Sequence, residues 1–283
     1  MKNYVITTDI RSDLTKEYGN KHHVGFLPFY YEVDQVIYGR KKELPLTEYY
    51  RQLQNRTKLE ILPSSVEQIK KFFAPYLEEG VDILHIATTK ILNSEYSVLQ
   101  KAVEELRSEY PDIKIVIVDS KTTSIGLGEL VKKAVSMKHN GRKLEDIVKW
   151  IQQQNTSFLG GFVVEDISYA VQQKIISQKQ GFLFKILGRK PIIILNEKGI
   201  VEQFCSRKNQ FRCLLNKIEK QNIRQDGTFL ILHGDALDQA RLLSASLTKQ
   251  YPQSSIQIQM MNPALGYLFG KGVIGLCFME QEK

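Results

Sequence analysis

Cysteine is scarce in this chain. Its 283 residues hold three, Cys205, Cys213 and Cys277, scattered and without metal-ligand spacing. That excludes a disulfide-framed fold and a zinc module, and predicts free thiols in a reducing cytoplasm. Long apolar runs are missing too, since nothing approaches the ~18 residues that a membrane span needs. The opening "MKNYVITTDI" moves straight into a short strand, without the longer apolar region of a signal peptide. Cytoplasmic localisation and no membrane span are expected. Histidines number five. His22 and His23 are adjacent, so on a strand they point to opposite faces and cannot chelate one ion together. His85 lies in an apolar strand and His139 precedes a helix stop at Gly141, so no metal site is expected.

What is present is the composition of an ordinary globular protein, 42% hydrophobic and 25% charged. The length suits two domains, or one large one. There is no internal repeat and no low-complexity linker. The net charge is +8 and uneven: Lys174 to Arg224 carries twelve Lys/Arg against three Glu (Glu197, Glu202, Glu219), so the remainder is close to neutral. This stretch reads either as a solvated helix face or as a docking surface for an acidic partner or a phosphorylated ligand. Nucleic acid is not expected as a partner, because no RNA-binding sheet motif, zinc finger or basic recognition helix is present.

Strand and helix alternate through the first half. "YVITTD", "DILHIAT" and "IKIVIVDS" read as strands, near-continuous apolar runs of the kind found in buried parallel sheets. "HVGFLPFYYEVDQVIYG" is strand material bent at Asp34-Gln35. "LPLTEYYRQLQ" and "SEYSVLQKAVEELRSEY" read as helices, with two more around 125–138 and 144–153. "SSVEQIKKFFAPYLEEG" opens with Ser64 and Glu67 in capping-box relation, is bent by Pro75 and stops at Gly80. From about Phe158 the rhythm changes to a hairpin in "KPIIILNEKGIVEQFCS", a basic helix, "TFLILH", a further helix, "SIQIQM" and "VIGLCFM". The fold class expected is α/β: an N-terminal domain over 1–157, with a mainly parallel sheet covered by helices, and a C-terminal α+β domain over 158–283, with a ligand cleft between them. Ligands belong at the carboxyl ends of parallel strands. "TTDIRSD", "TTKILNSEY" and "VDSKTTS" all sit there.

Two motifs invite enzyme chemistry and fail on their own mechanics. "GKGVIG" has the glycine spacing of a dinucleotide loop, but that loop must open a helix and precede an acidic ribose ligand. Only "LCFMEQEK" follows, and "VIGLCFM" reads as a strand, so no cofactor is expected. Ser120, His233 and Asp235 could compose a nucleophilic triad. "VDSKT" has none of the glycines of a nucleophile elbow, and a turn at Gly234 accounts for His233 and Asp235. No enzymatic activity is expected.

Taken together, "TTDIRSDL", "VIVDSKTTSIGLGELV" and "GYLFGKGVIGLCF" resemble the DegV family of fatty-acid-binding proteins. The resemblance covers essentially the full length and runs without a gap from Tyr169 to Pro191. It implies a two-domain carrier that buries a long-chain fatty acid between its domains and presents the carboxylate to a fatty acid kinase. The glycines of "GKGVIG" would then line the head-group end of the cleft, where a missing side chain lets backbone approach a ligand.

The family's polar signature is altered here. Asp-Ser-Thr appears as Asp9-Ile10-Arg11, with Asp13 retained, and Thr-Ser-Gln-Pro-Ser falls on Glu60-Ile61-Leu62-Pro63-Ser64. Ser-Gly-Thr-Tyr falls on Asn93-Ser94-Glu95-Tyr96, and Gly-Gly-Arg-Ile-Ser on Gln173-Lys174-Ile175-Ile176-Ser177. The family histidine falls on Leu268 and Gly-Pro-Gly on Gly270-Lys271-Gly272. Asp119-Ser120 and a basic position at Arg207 are kept. The ligand-binding residues that the resemblance implies are therefore Glu60, Ile61, Ser64, Asn93, Ser94, Asp119, Ser120, Leu268, Gly270 and Gly272, with Arg207 facing a partner. Lost hydroxyls weaken the grip on a carboxylate, and an inward Glu60 would repel it. Lys90 and Lys271 are candidate replacement cations, able to reach a head group or to pair with Glu60. "GFLFKIL" (181–187) is either a wall or lid for the acyl chain or a piece of core. The alternative function is binding of a different small amphiphile, without a kinase partner.

Overall fold

The computed structural model describes residues 3–39, 42–55, 59–153, 159–187, 189–196, 199–206, 210–219 and 226–279. Six consecutive buried residues, Tyr4–Asp9, make strand β1. Helix α1 (Lys16–His22), capped by the Thr15 side chain, leads to β2 (Val24–Leu27). Strands β3 (Tyr30–Val33) and β4 (Val36–Tyr38) form a hairpin turning at Asp34 and Gln35, both with positive φ. Helix α2 (Leu46–Gln54) precedes β5 (Leu59–Leu62). There follow α3 (Val66–Glu78), β6 (Asp82–Ala87), α4 (Tyr96–Glu109), β7 (Ile115–Asp119), α5 (Ser124–His139) and α6 (Leu144–Gln153).

The chain folds into two units, Met1–Glu43 with Lys58–Asn155, and Leu44–Thr57 with Thr156–Lys283. A division after residue 157 keeps α2 with the first unit; by its packing it belongs to the second. In the first unit a parallel sheet runs β2-β1-β6-β7, as the apolar strands lead one to expect, beside a small antiparallel sheet β4-β3-β5. Ile69, Phe73 and Leu77 from α3 and Leu99, Val103 and Leu106 from α4 pack with Val5, Ile83 and Ile115 of the sheet.

Two local expectations need correction. The capping box of α3 is Ser65 with Gln68, one residue beyond Ser64 and Glu67. Placed there, Ser65 Oγ accepts the Gln68 amide at 3.1 Å and Gln68 accepts the Ser65 amide at 2.8 Å. That leaves the Ser64 amide for another partner. The helix keeps Pro75 inside it, runs to Glu78 and stops at Gly80, at φ +70°, as expected. His22 ends α1 and His23 caps it in the left-handed region, so they do not share a strand.

The second unit contains β8 (Leu159–Val163), α7 (Ile167–Gln172), α8 (Gln178–Leu187), β9 (Arg189–Asn196), β10 (Gly199–Ser206), α9 (Gln210–Glu219), β11 (Thr228–His233), α10 (Leu237–Gln250), β12 (Ser255–Met260), α11 (Pro263–Phe269) and β13 (Ile274–Met279). Its six-stranded mixed sheet runs β10-β9-β8-β13-β11-β12. Helix α2 docks on α11: Tyr49 donates to the Pro263 carbonyl at 2.8 Å and Tyr50 to that of Met261 at 3.2 Å. Gly266 permits this contact, since a Cβ there would lie 2.9 Å from both tyrosines.

The expectation of free thiols fails at Cys205 and Cys213, which form a disulfide. The end of β10 and the first turn of α9 bring their Cα atoms within 6.5 Å, inside disulfide reach. The inference of a reducing compartment from unpaired cysteines therefore loses its premise. Cys277 is free, and burial pushes its thiol up to about 12. Among the described residues, no helix is long and apolar enough to cross a membrane.

Candidate functional site

The carboxyl edge of the parallel sheet gathers the three polar segments. Threonines at the end of β1 tie it to β6: Thr8 donates to the Ile86 carbonyl at 2.7 Å, and Thr7 Oγ1 meets His85 Nδ1 at 3.0 Å. Asp9 is buried and accepts the Thr88 amide. Its Oδ1 lies 3.8 Å from His85 Nε2, an electrostatic contact too long for a hydrogen bond. Burial works against the Asp9 charge, but the His85 side chain, Arg11 and the Thr88 amide outweigh it and hold the carboxyl down at about 2. Burial, with the nearby Asp119 and Asp9 carboxylates, pushes the Tyr96 hydroxyl up to about 12. Ser124 donates to Asp13, fastening the start of α5 to the loop after β1.

Beside Asp9 lies a buried ion pair. Arg11, in a short 3-10 turn after β1, donates to Glu95 at the start of α4, and both side chains are about nine-tenths buried. The Ser64 amide, released by the shifted cap, donates to the other Glu95 oxygen at 2.5 Å. Asn93 Oδ1 accepts the Glu95 amide at 3.1 Å and so fixes the turn. The Arg11 guanidinium lies 4.7 Å from the centre of the Phe29 ring. The space around this pair is about 10 Å³, and it is lined by Asp9, Arg11, Leu27, Pro28, Phe29, Ser64, Ile69, Asn93, Glu95 and Leu99. Room for one water is all that it leaves.

Leu27, Pro28, Ser64 and Ile69 also line a second, much larger space. This groove, about 590 Å³, is otherwise walled by Tyr30, Ile37, Tyr38, Gly39, Lys42, Gln68, Lys71 and Phe72. Its size is that of a small-molecule site, and its walls are mostly apolar and aromatic. Three buried hydroxyls near the same sheet edge, on Ser12, Thr88 and Thr123, have no hydrogen-bond partner.

The second unit carries the glycine loop. Gly270 and Gly272 have φ of +79° and +84°. A Cβ on Gly270 would come within 2.3 Å of the Tyr169 ring, so both conformation and space demand glycine there. The Gly272 amide donates to the Gly234 carbonyl at 2.6 Å and the Gly234 amide to that of Val273 at 2.9 Å. As expected of "VIGLCFM", a strand follows. Lys271 is engaged within the protein: its ammonium pairs with Asp235 at 2.8 Å and donates to Gln54 at 2.8 Å. Burial lowers the His233 pKa against the pull of Asp235, and His233 Nδ1 accepts the Ala236 amide at 3.2 Å.

Of the residues singled out in the sequence, Ser64 and Asn93 line the cavity at Arg11. Glu60 is exposed on β5 opposite Glu32, and Ile61, opposite Tyr31, is half-buried. The carboxylates that line the cavity are Asp9 and Glu95 instead. Lys90 and Ser94 are exposed. Asp119 is half-buried, and Ser120 is spent on a turn, donating to the Thr122 carbonyl at 3.0 Å. Leu268 is half-buried on α11, while Arg207 lies outside the described residues. In 181–187, Phe184 is buried and Phe182, Leu183, Ile186 and Leu187 are exposed. Sequence reasoning missed Arg11 and Glu95 as partners. The signal was there, since two departures of opposite charge occur at two positions of one polar signature.

A family model described as an uncharacterised protein of the DegV family matches residues 3–281. A DegV domain-containing protein of Clostridium perfringens is 27% identical over 292 aligned positions, covering 100% of this chain and 99% of that one. A fatty-acid-binding DegV family protein of Streptococcus agalactiae superposes with a TM-score of 0.86 at 22% identity, over 100% of both chains. The Fatty Acid Kinase B3 protein of Streptococcus pneumoniae, loaded with linoleic acid, superposes with a TM-score of 0.80 at 16% identity, over 99% of this chain and 100% of that one. From its first strand to its last, the chain belongs to the DegV family.

Proposed function

We propose that this protein is a lipid carrier that binds one long-chain fatty acid and performs no covalent chemistry itself. The observation that carries this is the groove of about 590 Å³ in the first unit, which is lined by apolar and aromatic side chains and shares a wall with a buried polar pair. A groove of this kind holds an acyl chain by removing methylenes from water. Each contributes ~0.8 kcal/mol, a factor of roughly four in affinity. Neighbours of the same fold bind fatty acids.

We assign the head-group end to the side of Ser64 and Asn93, next to the buried Arg11–Glu95 pair. Delivery to a fatty acid kinase is the matching role. The pneumococcal neighbour is a fatty acid kinase B3 protein, and the basic stretch from Lys174 to Arg224 suits an acidic partner. Titration with saturated fatty acids of 10, 12, 14 and 16 carbons tests the carrier reading. Affinity should rise at least severalfold with each two-carbon step until the groove is filled. An affinity independent of chain length would contradict it.

A further inference from the structure

The Arg11–Glu95 pair bears on which head group the carrier accepts. Glu95 Oε2 takes the Arg11 guanidinium and Oε1 takes the Ser64 amide. A guanidinium and a backbone amide are the donors by which a protein holds a carboxylate, and here a carboxylate of the protein's own has both. With Glu95 in place the cavity is only about 10 Å³, too small for a second carboxylate. Its charged lining is two carboxylates, Asp9 and Glu95, against one guanidinium, so an added anion meets net repulsion. The groove that adjoins it through Leu27, Pro28, Ser64 and Ile69 is wide and mostly apolar.

We propose that Glu95 is an internal placeholder for a ligand carboxylate and thereby a specificity-determining residue. A fatty acid reaches Arg11 and the Ser64 amide only by displacing Glu95, whereas a long-chain amphiphile with an uncharged head binds in the groove without disturbing the pair. Arg11 is then the cation that grips the acid, in place of Lys90, which is exposed, and Lys271, which Asp235 and Gln54 hold. Glu95 holds its place on Arg11 until a ligand carboxylate takes over, because breaking a buried ion pair by removing one partner is strongly destabilising.

This rests on the carrier reading, and the test separates the two. The probes are dodecanoate and 1-dodecanol, measured against wild type and Glu95→Gln, which keeps the shape and the acceptor for Ser64 but drops the charge. The substitution should raise the preference for dodecanoate over dodecanol by roughly tenfold or more. Adding Arg11→Gln to it should abolish that gain. In wild type, which needs no variant to fold, the 15N signals of the Arg11 guanidinium should shift with saturating dodecanoate and stay in place with dodecanol. A preference unchanged in Glu95→Gln, or Arg11 signals indifferent to dodecanoate, would overturn the placeholder alone and put the ligand carboxylate outside, beside Lys42 or Lys71. Failure of wild type to bind either probe would overturn the carrier reading, and the placeholder with it.

Discussion

Asp9 shows how one side chain can be both costly and useful. Burial opposes its charge, yet the His85 side chain, Arg11 and the Thr88 amide bring its carboxyl from 3.8 down to about 2. A carboxyl depressed on folding stabilises the protein above its unfolded pKa, and the contribution is lost as pH falls through the folded value. Asp9 should thus contribute on the order of 2 kcal/mol above pH ~4, disappearing as pH drops towards 2. Urea denaturation at pH 5 and pH 2.5 checks this. Asp9→Asn should lose less stability across that interval than wild type, and an identical loss in both proteins would contradict the assignment. At this scale the sequence was legible only in part. Asp9 and Asp13 were visible as retained acids and Ser64 as a retained hydroxyl, but Ser64 contributes its backbone amide. That depends on the helix cap falling on Ser65, a difference of one residue that propensity does not resolve because Ser64 and Ser65 cap equally well. The Arg11–Glu95 pair spans 84 positions and exists only after β1 and β6 pair.

At the scale of elements, apolar runs were the reliable signal. β1, β6 and β7 are the runs "YVITTD", "DILHIA" and "IVIVD", and their parallel pairing puts three hydroxyl-rich turns on one edge. Short elements carried less. α7 and α11, of six and seven residues, are too brief to show a helical period. β12 alternates apolar with Gln257 and Gln259 at the edge of its sheet and still reads as a strand. The groove was invisible, because Tyr30, Tyr38 and Phe72 are spaced as core residues are. Only the hairpin β3-β4 and α3 together leave their rings around open space. Cys205 and Cys213, eight apart, gave no spacing signal for a disulfide. Their approach depends on β10 ending where α9 begins to turn back.

For the whole molecule, the proposed carrier role requires that a lipid be held and then given up to a partner. Charge is one means of finding that partner, since a one-signed surface steers association without adding contacts. The surplus of nine positive charges between Lys174 and Arg224 stands on a chain otherwise near neutrality. Charge reversal by Arg207→Glu should leave fatty-acid affinity within twofold of wild type and slow ligand phosphorylation by a fatty acid kinase, more so at low salt. Equal rates for both proteins would remove Arg207 from the docking surface. The fold itself was legible because many weak motifs occur in one order along the chain. The ligand's head group was not, because it depends on which buried charges meet.

The central claim is that the groove holds an acyl chain. Native mass spectrometry of the purified protein, followed by denaturing extraction and identification of what is released, tests it most directly. The account predicts one long-chain fatty acid per chain, or stoichiometric uptake when palmitate is added to a delipidated sample. A protein that carries no lipid and takes up none would contradict it.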